Sequence, residues 1–381
     1  METTHKKQIG IIGGGIAGLT FSLCLPYDAF TCSVFEKSDT LSEVGAAISI
    51  FPNALCVMDE LGLLREVLEV SGQMNTAFLK DSRGNILSKS SIHSDYPVVC
   101  IHRKDLHQIL RKHTTAELHA GHEVTSVSNL PDGKVAVKFV HGETKTFDAV
   151  IGADGIHSVT RQQIVGDGKP IFSGYNIWRG VVSTDYQIGY GSETYGRGQR
   201  VGIVPIKKGV YGWWATLNED FMKDDQPEGS RRKLARLFGD WHHPIPEFIE
   251  HTETILKNSL GDRKIVKGWS QGNITLLGDA AHPTTPNLGQ GGCIAIEGAY
   301  ILAKSICKYG IGKEAFDRYE ALQYPRAKLI VNESLKLGKM GQLDNPILTT
   351  IRNFLFKITP SSIVVRMISR YFSYRVTQLK I

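Results

Sequence analysis

Three glycines in "GGGIAG", Gly13, Gly15 and Gly18, fall at G-x-G-x-x-G spacing, directly after the apolar run "QIGIIG". That spacing suits a dinucleotide. The first glycine permits a tight turn, the second lets backbone approach a pyrophosphate, and the third allows close packing of a helix on a strand. A helix starting there offers unpaired N–H groups and a partial positive charge to phosphate. Glu36 follows at the end of the next apolar run, "TCSVFE", where an acid can accept hydrogen bonds from a ribose.

A second constellation lies far downstream in "NITLLGDAAHPTTPNLGQGGCIAIEGAYILAK". An apolar strand runs into Asp279. Prolines follow, and then Gly289, Gly291 and Gly292 open a helix. The first unit alone does not distinguish NAD from FAD. The second does, because FAD extends a ribityl chain and a flavin away from the first loop. Asp279 is placed to accept from ribityl hydroxyls, and the stretch Pro286, Gly289, Gln290, Gly291, Gly292 lets backbone approach the ring. A helix N-terminus stabilises the negative charge that reduced flavin carries around N1 and the C2 carbonyl. FAD is therefore the expected cofactor.

The elements that must position these residues follow from periodicity. Residues 8–13, 16–25 and 31–36 read as strand, helix and strand, a βαβ unit. Residues 53–70 have helical apolar spacing behind an Asn53 cap, and 103–114 read as another helix. Strands are expected at 122–128, 134–140 and 145–151. From about 172 to 270 the texture changes to β-branched and aromatic runs joined by glycine turns, with a more helical stretch at 228–256. A buried strand at 273–278 and a helix over 288–308 return to the first pattern, and the chain from 313 onward reads as helical. The expected fold class is α/β. Residues 1–171 and 271–330 form a discontinuous Rossmann-like FAD domain of glutathione-reductase type, and the first part may lend strands to its neighbour. Residues 172–270 form an inserted β-sheet substrate domain, and 331–381 a helical tail.

Composition narrows the class. The chain has 381 residues, 41% of them hydrophobic, enough for a full core, and no apolar run long enough to span a bilayer. Its six cysteines follow no metal or disulfide spacing, and the opening segment lacks a signal-peptide plan, so a cytoplasmic enzyme is expected. Through Asp344 the chain balances 38 basic against 38 acidic residues; beyond it stand six bases and no acid. This is not the distributed basic field of a nucleic-acid binder. The basic, aromatic tail reads foremost as a helix bridging the domains with its bases solvated; a membrane-surface helix is the weaker reading. No metal site is expected: His242 and His243 in "WHHP" lack companion ligands. Cys293, near a helix start, reads as a small packed residue. Oligomeric state is open.

"GGGIAG…E", "DGIHSVTR" and "GDAAHPTTPNLGQGG", together with "EVGAAISIFPNALCVMDELGL" and "IHRKDL", resemble the signature segments of single-component FAD-dependent monooxygenases. These are aromatic hydroxylases of the para-hydroxybenzoate hydroxylase type. The sequence is most similar to the salicylate hydroxylase, FAD-dependent urate hydroxylase and zeaxanthin epoxidase branches. The resemblance implies that Arg103 contacts FAD, that Asp279 holds the ribityl and pyrophosphate region, and that Asp154 serves both FAD and NAD(P)H. It also implies that Gly45 to Ser49 lie near the isoalloxazine. Lys37 stands where many relatives carry arginine, which keeps the charge and loses the bidentate geometry.

The implied reaction is NAD(P)H reduction of the flavin, oxygen addition at C4a, and transfer of an oxygen atom from the hydroperoxide to a small aromatic or heteroaromatic compound. The flavin carries the chemistry, so no catalytic side chain is assigned. With one glycine fingerprint, NAD(P)H is expected to dock transiently as co-substrate. The same chemistry on a tetracycline-type antibiotic, or epoxidation of an isoprenoid, uses the same cofactor residues. A flavin-dependent reductase or halogenase is the alternative class, although the W-x-W-x-I-P segment of halogenases is absent. A non-catalytic flavoprotein is a third. In the inserted sheet Arg200, Arg179 and Tyr211 are the polar candidates for substrate contact, Arg200 foremost, with Trp178, Trp213 and Trp214 as aromatic walls. An inward arginine favours an anionic or strongly polarised substrate.

Overall fold

The strand Lys7–Ile12 carries Ile9 and Ile11 with no exposed surface. Burying each contributes roughly 1.5–3 kcal/mol, which fixes this strand at the centre of its sheet. The computed structural model describes residues 6–40, 47–226 and 228–381. In it, Lys7–Ile12 pairs in parallel with Phe30–Phe35 on one side and Ala149–Gly152 on the other. Ile274–Leu276 and Glu117–His119 extend the same sheet in parallel, and Ser270–Gln271 closes one edge antiparallel. The helices Ile16–Cys24 and Gly291–Tyr309 pack together over this sheet, inside the largest apolar core.

A seven-stranded sheet is built mainly from Ile171–Ser183, Gly191–Tyr195, Gln199–Lys207, Val210–Asn218 and Leu256–Asp262. Thr76–Asp81 and Ile86–Ser91 complete it, so two strands come from earlier in the chain. One face packs on the helices Gly229–Phe238 and Ile245–Glu250 through Trp213, Leu234, Phe238 and Phe248. The other face turns toward the parallel sheet.

Three expectations are corrected. The run 145–151 is two strands: Thr144–Phe147 joins an antiparallel three-stranded sheet with Val135–Phe139 and Val124–Asn129, while Ala149–Gly152 enters the parallel sheet. Asp148 marks the switch, its carboxylate accepting from Gln8 N at 2.8 Å. The helix expected over 53–70 is broken into Pro52–Glu60 and Leu64–Glu69, because Gly62 takes φ +72°, outside the helical range. Asn53 does not cap it. Phe51 is the N-cap, and Asn53 lies buried in the first turn. The tail is helical as Lys313–Gly341, Pro346–Ile358 and Ser361–Phe372.

Candidate functional site

A continuous cavity of about 570 Å³ runs between the two sheets. At one end the glycine turn follows the central strand. Gly13 has φ +105°, and a Cβ there would fall 2.3 Å from Ala153 O. Gly18 is a packing position rather than a wall: a Cβ on it would fall 2.3 Å from Gly13 O. Glu36 lies just past the second strand, where its carboxylate accepts from Gly14 N and Ser38 N, both at 3.0 Å. Gly15, Glu36 and Lys37 line this end of the cavity. Helix Ile16–Cys24 has no side-chain cap at Gly15, and Gly15, Ile16 and Ala17 of its first turn line the cavity.

Asp154 lines the cavity beside Gly13. Its carboxylate accepts from Ser158 Oγ at 2.5 Å and Thr160 N at 3.1 Å, and burial raises its pKa. Farther along, Asp279 stands exposed in a single 3-10 turn between the buried residues Gly278 and Ala280. Pro286, Gly289, Gly291 and Gly292 continue the wall. Gly289 has φ +65°, and a Cβ on Gly292 would fall 2.7 Å from Ile48 Cδ1. The long helix Gly291–Tyr309 also begins without a side-chain cap, and its N-terminus meets the cavity. Gln290 points away from it, accepting from Asn53 Nδ2 at 2.9 Å. Ser49 and Arg103 face this middle stretch. Gly45 lies outside the described residues.

The far end is the face of the seven-stranded sheet. Strand alternation sorts its residues. Arg179, Trp214 and Gly202 form one cross-strand row, and Ile177, Thr216 and Arg200 the next. Gly202 makes room for the indole: a Cβ there would fall 1.9 Å from Trp214 Cζ2. Tyr211 is on the opposite face, buried against Phe248, with its hydroxyl donating to Tyr186 O at 2.6 Å. It does not reach the cavity. Nor does Trp178, whose Nε1 donates to Asp225 Oδ2 at 2.7 Å.

Arg200 is 3% exposed and fully engaged. It donates to Glu193 Oε1 at 2.9 Å, Gln342 Oε1 at 2.8 Å and Asn287 Oδ1 at 2.8 Å. Burial opposes its charge, but Glu193 and the neighbouring phenol oxygens outweigh that, and its pKa rises. Arg179 behaves differently. Burial, with Arg103 nearby, lowers its pKa, and its guanidinium donates to Asn258 Oδ1.

Several residues that organise the site were not singled out from the sequence. His107 Nε2 lies 2.7 Å from Gly14 O and braces the glycine turn. Arg161, wholly buried, donates to Ala280 O and Ala281 O at 2.9 and 2.7 Å and pairs with Asp167 at 2.6 Å. It thereby ties the Asp154 segment to the Asp279 turn. Gly338 and Gly341, on one face of the 29-residue helix, clear space for Asn287 and Arg200: a Cβ would fall 2.5 Å from Asn287 Nδ2 and 2.8 Å from Arg200 Cδ. Glycines inside a helix imply such close approach, the one clue available in the sequence. Cys293 is fully buried, which pushes its thiol up to about 12 despite the helix start.

Two uncapped helix N-termini, glycine turns packed too tightly for a Cβ, and a length of cavity reaching from Glu36 to Arg200 fit FAD. Comparison with known proteins agrees. The family model described as "FAD binding domain" matches residues 6–334. Aurachin C monooxygenase/isomerase of Stigmatella aurantiaca is 36% identical, over 92% of this chain and 94% of that protein. The 3-amino-4-hydroxybenzoate 2-monooxygenase of Streptomyces cremeus is 31% identical, over 89% of each. The fold matches that of Klebsiella pneumoniae HpxO complexed with FAD and uric acid, with a TM-score of 0.86, 24% identity, and 98% and 99% of the two chains covered. The chain belongs to this FAD-binding family of flavin monooxygenases.

Proposed function

We propose that this family member uses a reduced nicotinamide and dioxygen to place one oxygen atom on a small aromatic or heteroaromatic ring. The carrying observation is the facing of two surfaces across one cavity: the glycine-lined turn Pro286–Gly292 and the Trp214 floor over Gly202. Two relatives at 36% and 31% identity are named as monooxygenases, which supports the reaction class. FAD, when bound and reduced, supplies the electrons and the oxygen-transfer chemistry.

The protein's own tasks are binding, orientation and exclusion of water. Gly13, Gly15 and the first N–H groups of helix Ile16–Cys24 would hold the pyrophosphate, and Glu36 the ribose. Asp279 and Arg103 would hold the middle of the cofactor, with Asp154 beside Gly13 and Ser49 beside the ring. Negative charge on the reduced ring would be stabilised by the N-terminus of helix Gly291–Tyr309. The substrate ring would lie on Trp214. Arg200 faces inward, yet its charge is matched by Glu193 at contact distance. This end of the cavity therefore suits a neutral ring with a polar edge better than a strongly anionic one. The test is turnover under isotopically labelled dioxygen. One labelled oxygen atom per product molecule is the expected result; unlabelled product, its new oxygen drawn from water, would defeat the proposal.

A further inference from the structure

The helix Pro346–Ile358 is turned inside out. Its buried side chains are Thr349 and Arg352, both polar. Ile347, Leu348, Ile351, Phe354, Leu355 and Ile358 are all exposed, between 47% and 68%. At a period of about 3.6 residues these six form one continuous stripe. An ordinary surface helix puts such a stripe against the core. Here the orientation is held by polar anchors. Arg352 donates to Gly341 O at 3.2 Å and Gly196 O at 3.1 Å, and its guanidinium lies 5.0 Å from the centre of the Tyr195 ring. The next helix, Ser361–Phe372, is fixed by Phe372 stacked on Phe51 at 4.3 Å, and turns Ile363 and Met367 outward, at 50% and 55% exposure.

We infer that these two helices dock the enzyme on the surface of a membrane bearing anionic lipid. Charge selects the occupant. The segment after Asp344 holds six bases and no acid, and Lys357 and Arg366 stand exposed among the outward apolar residues. A second copy seated on this face would bring like charges together, whereas anionic headgroups answer the bases while acyl chains take the stripe. The helices have 13 and 12 residues, so at about 1.5 Å per residue neither reaches across a hydrocarbon layer of about 30 Å. They would lie in the plane of the interface. Arg352 and Gly341 set this face beside the Arg200 end of the cavity, but the docking stands independently of the reaction proposed above.

The test is flotation of the FAD-loaded full chain with vesicles of phosphatidylglycerol and phosphatidylcholine, against pure phosphatidylcholine vesicles. The companion variant is Ile351→Asp/Phe354→Asp, whose side chains are exposed, with circular dichroism and Tm checking the fold. The expected result is enrichment on the anionic vesicles, weakened by salt and reduced at least tenfold in the variant with its fold unchanged. No flotation, equal flotation on both vesicle types, or flotation indifferent to the variant would overturn the proposal. So would a dimer in sedimentation that the same substitutions dissociate.

Discussion

Arg200 Nη2 donates to Asn287 Oδ1 at 2.8 Å, joining the floor of the seven-stranded sheet to the glycine turn that closes the other side of the cavity. Asn287 is itself held from three directions, donating to Thr285 Oγ1 at 2.9 Å and Ser334 O at 3.0 Å and accepting from Tyr175 at 3.2 Å. Gln342, at the end of the long helix, accepts from Arg200 and Thr216 together. The spacing between the two cavity walls is thus set by a polar network rather than by apolar packing alone.

Removing the centre of that network should be costly. Arg200→Gln leaves Glu193 without its buried partner, and breaking such a pair from one side costs roughly 3–5 kcal/mol. Asn287→Ala, which removes neutral contacts and one to a charged group, is expected to cost less, about 1–3 kcal/mol. Denaturant unfolding of both variants checks the order. Equal stability for Arg200→Gln and the parent would show that the pair does not hold the walls together.

Gly13→Ala should destabilise the fold at the glycine turn, with or without FAD. The added methyl meets Ala153 O at a φ of +105°, and strain of this kind costs about 1–3 kcal/mol. Denaturant unfolding of the apoprotein reads that loss directly, and a stability equal to the parent's would contradict it.

Gly202→Ala tests the floor. Its methyl cannot coexist with the Trp214 ring where that ring now lies, so the indole must move into the cavity. Oxygenated product should fall at least about tenfold, the effect of a displaced reacting group. Nicotinamide oxidation should continue, with peroxide as its product. The ratio of product formed to nicotinamide consumed is the measurement, and an unchanged ratio would remove Trp214 from the substrate site.

His282 should contribute to acid sensitivity. Burial, with Arg161 adding repulsion, depresses its pKa from 6.5 to about 4. Below pH 6.5 the unfolded chain takes up a proton that the folded one refuses. Stability is therefore fully present above 6.5 and declines as pH falls toward 4. The loss approaches about 3 kcal/mol, at 1.36 kcal/mol per pKa unit. In His282→Gln the decline of Tm between pH 6.5 and 4 should be shallower. A parallel decline in both proteins would assign acid sensitivity to other groups.

The positions legible in sequence were those where backbone does the work. Gly13 and Gly18, and Gly289 and Gly292 in the turn from Pro286, announce themselves because a side chain there would clash or strain the backbone. Arg200, Arg179 and Tyr211 lie on three different strands, so alternation along one strand cannot rank them; only the register between strands shows that Tyr211 is the one turned away from the cavity. Asn53 looked like a cap because caps are local, but Gln290 and Glu297, more than two hundred residues away, claim its side chain. Arg161 stands inside the "DGIHSVTR" segment, but its role is not readable there, because it donates to the carbonyls of Ala280 and Ala281, which leave no residue type to read, besides pairing with Asp167.

The most direct test of the account is anaerobic reduction of the FAD-loaded protein by NADH and NADPH, with and without a panel of aromatic, purine, tetracycline and isoprenoid compounds. The account predicts that a ring compound accelerates flavin reduction and that a product heavier by one oxygen atom forms when air is admitted. Failure of both nucleotides to reduce the flavin with every compound present would contradict it.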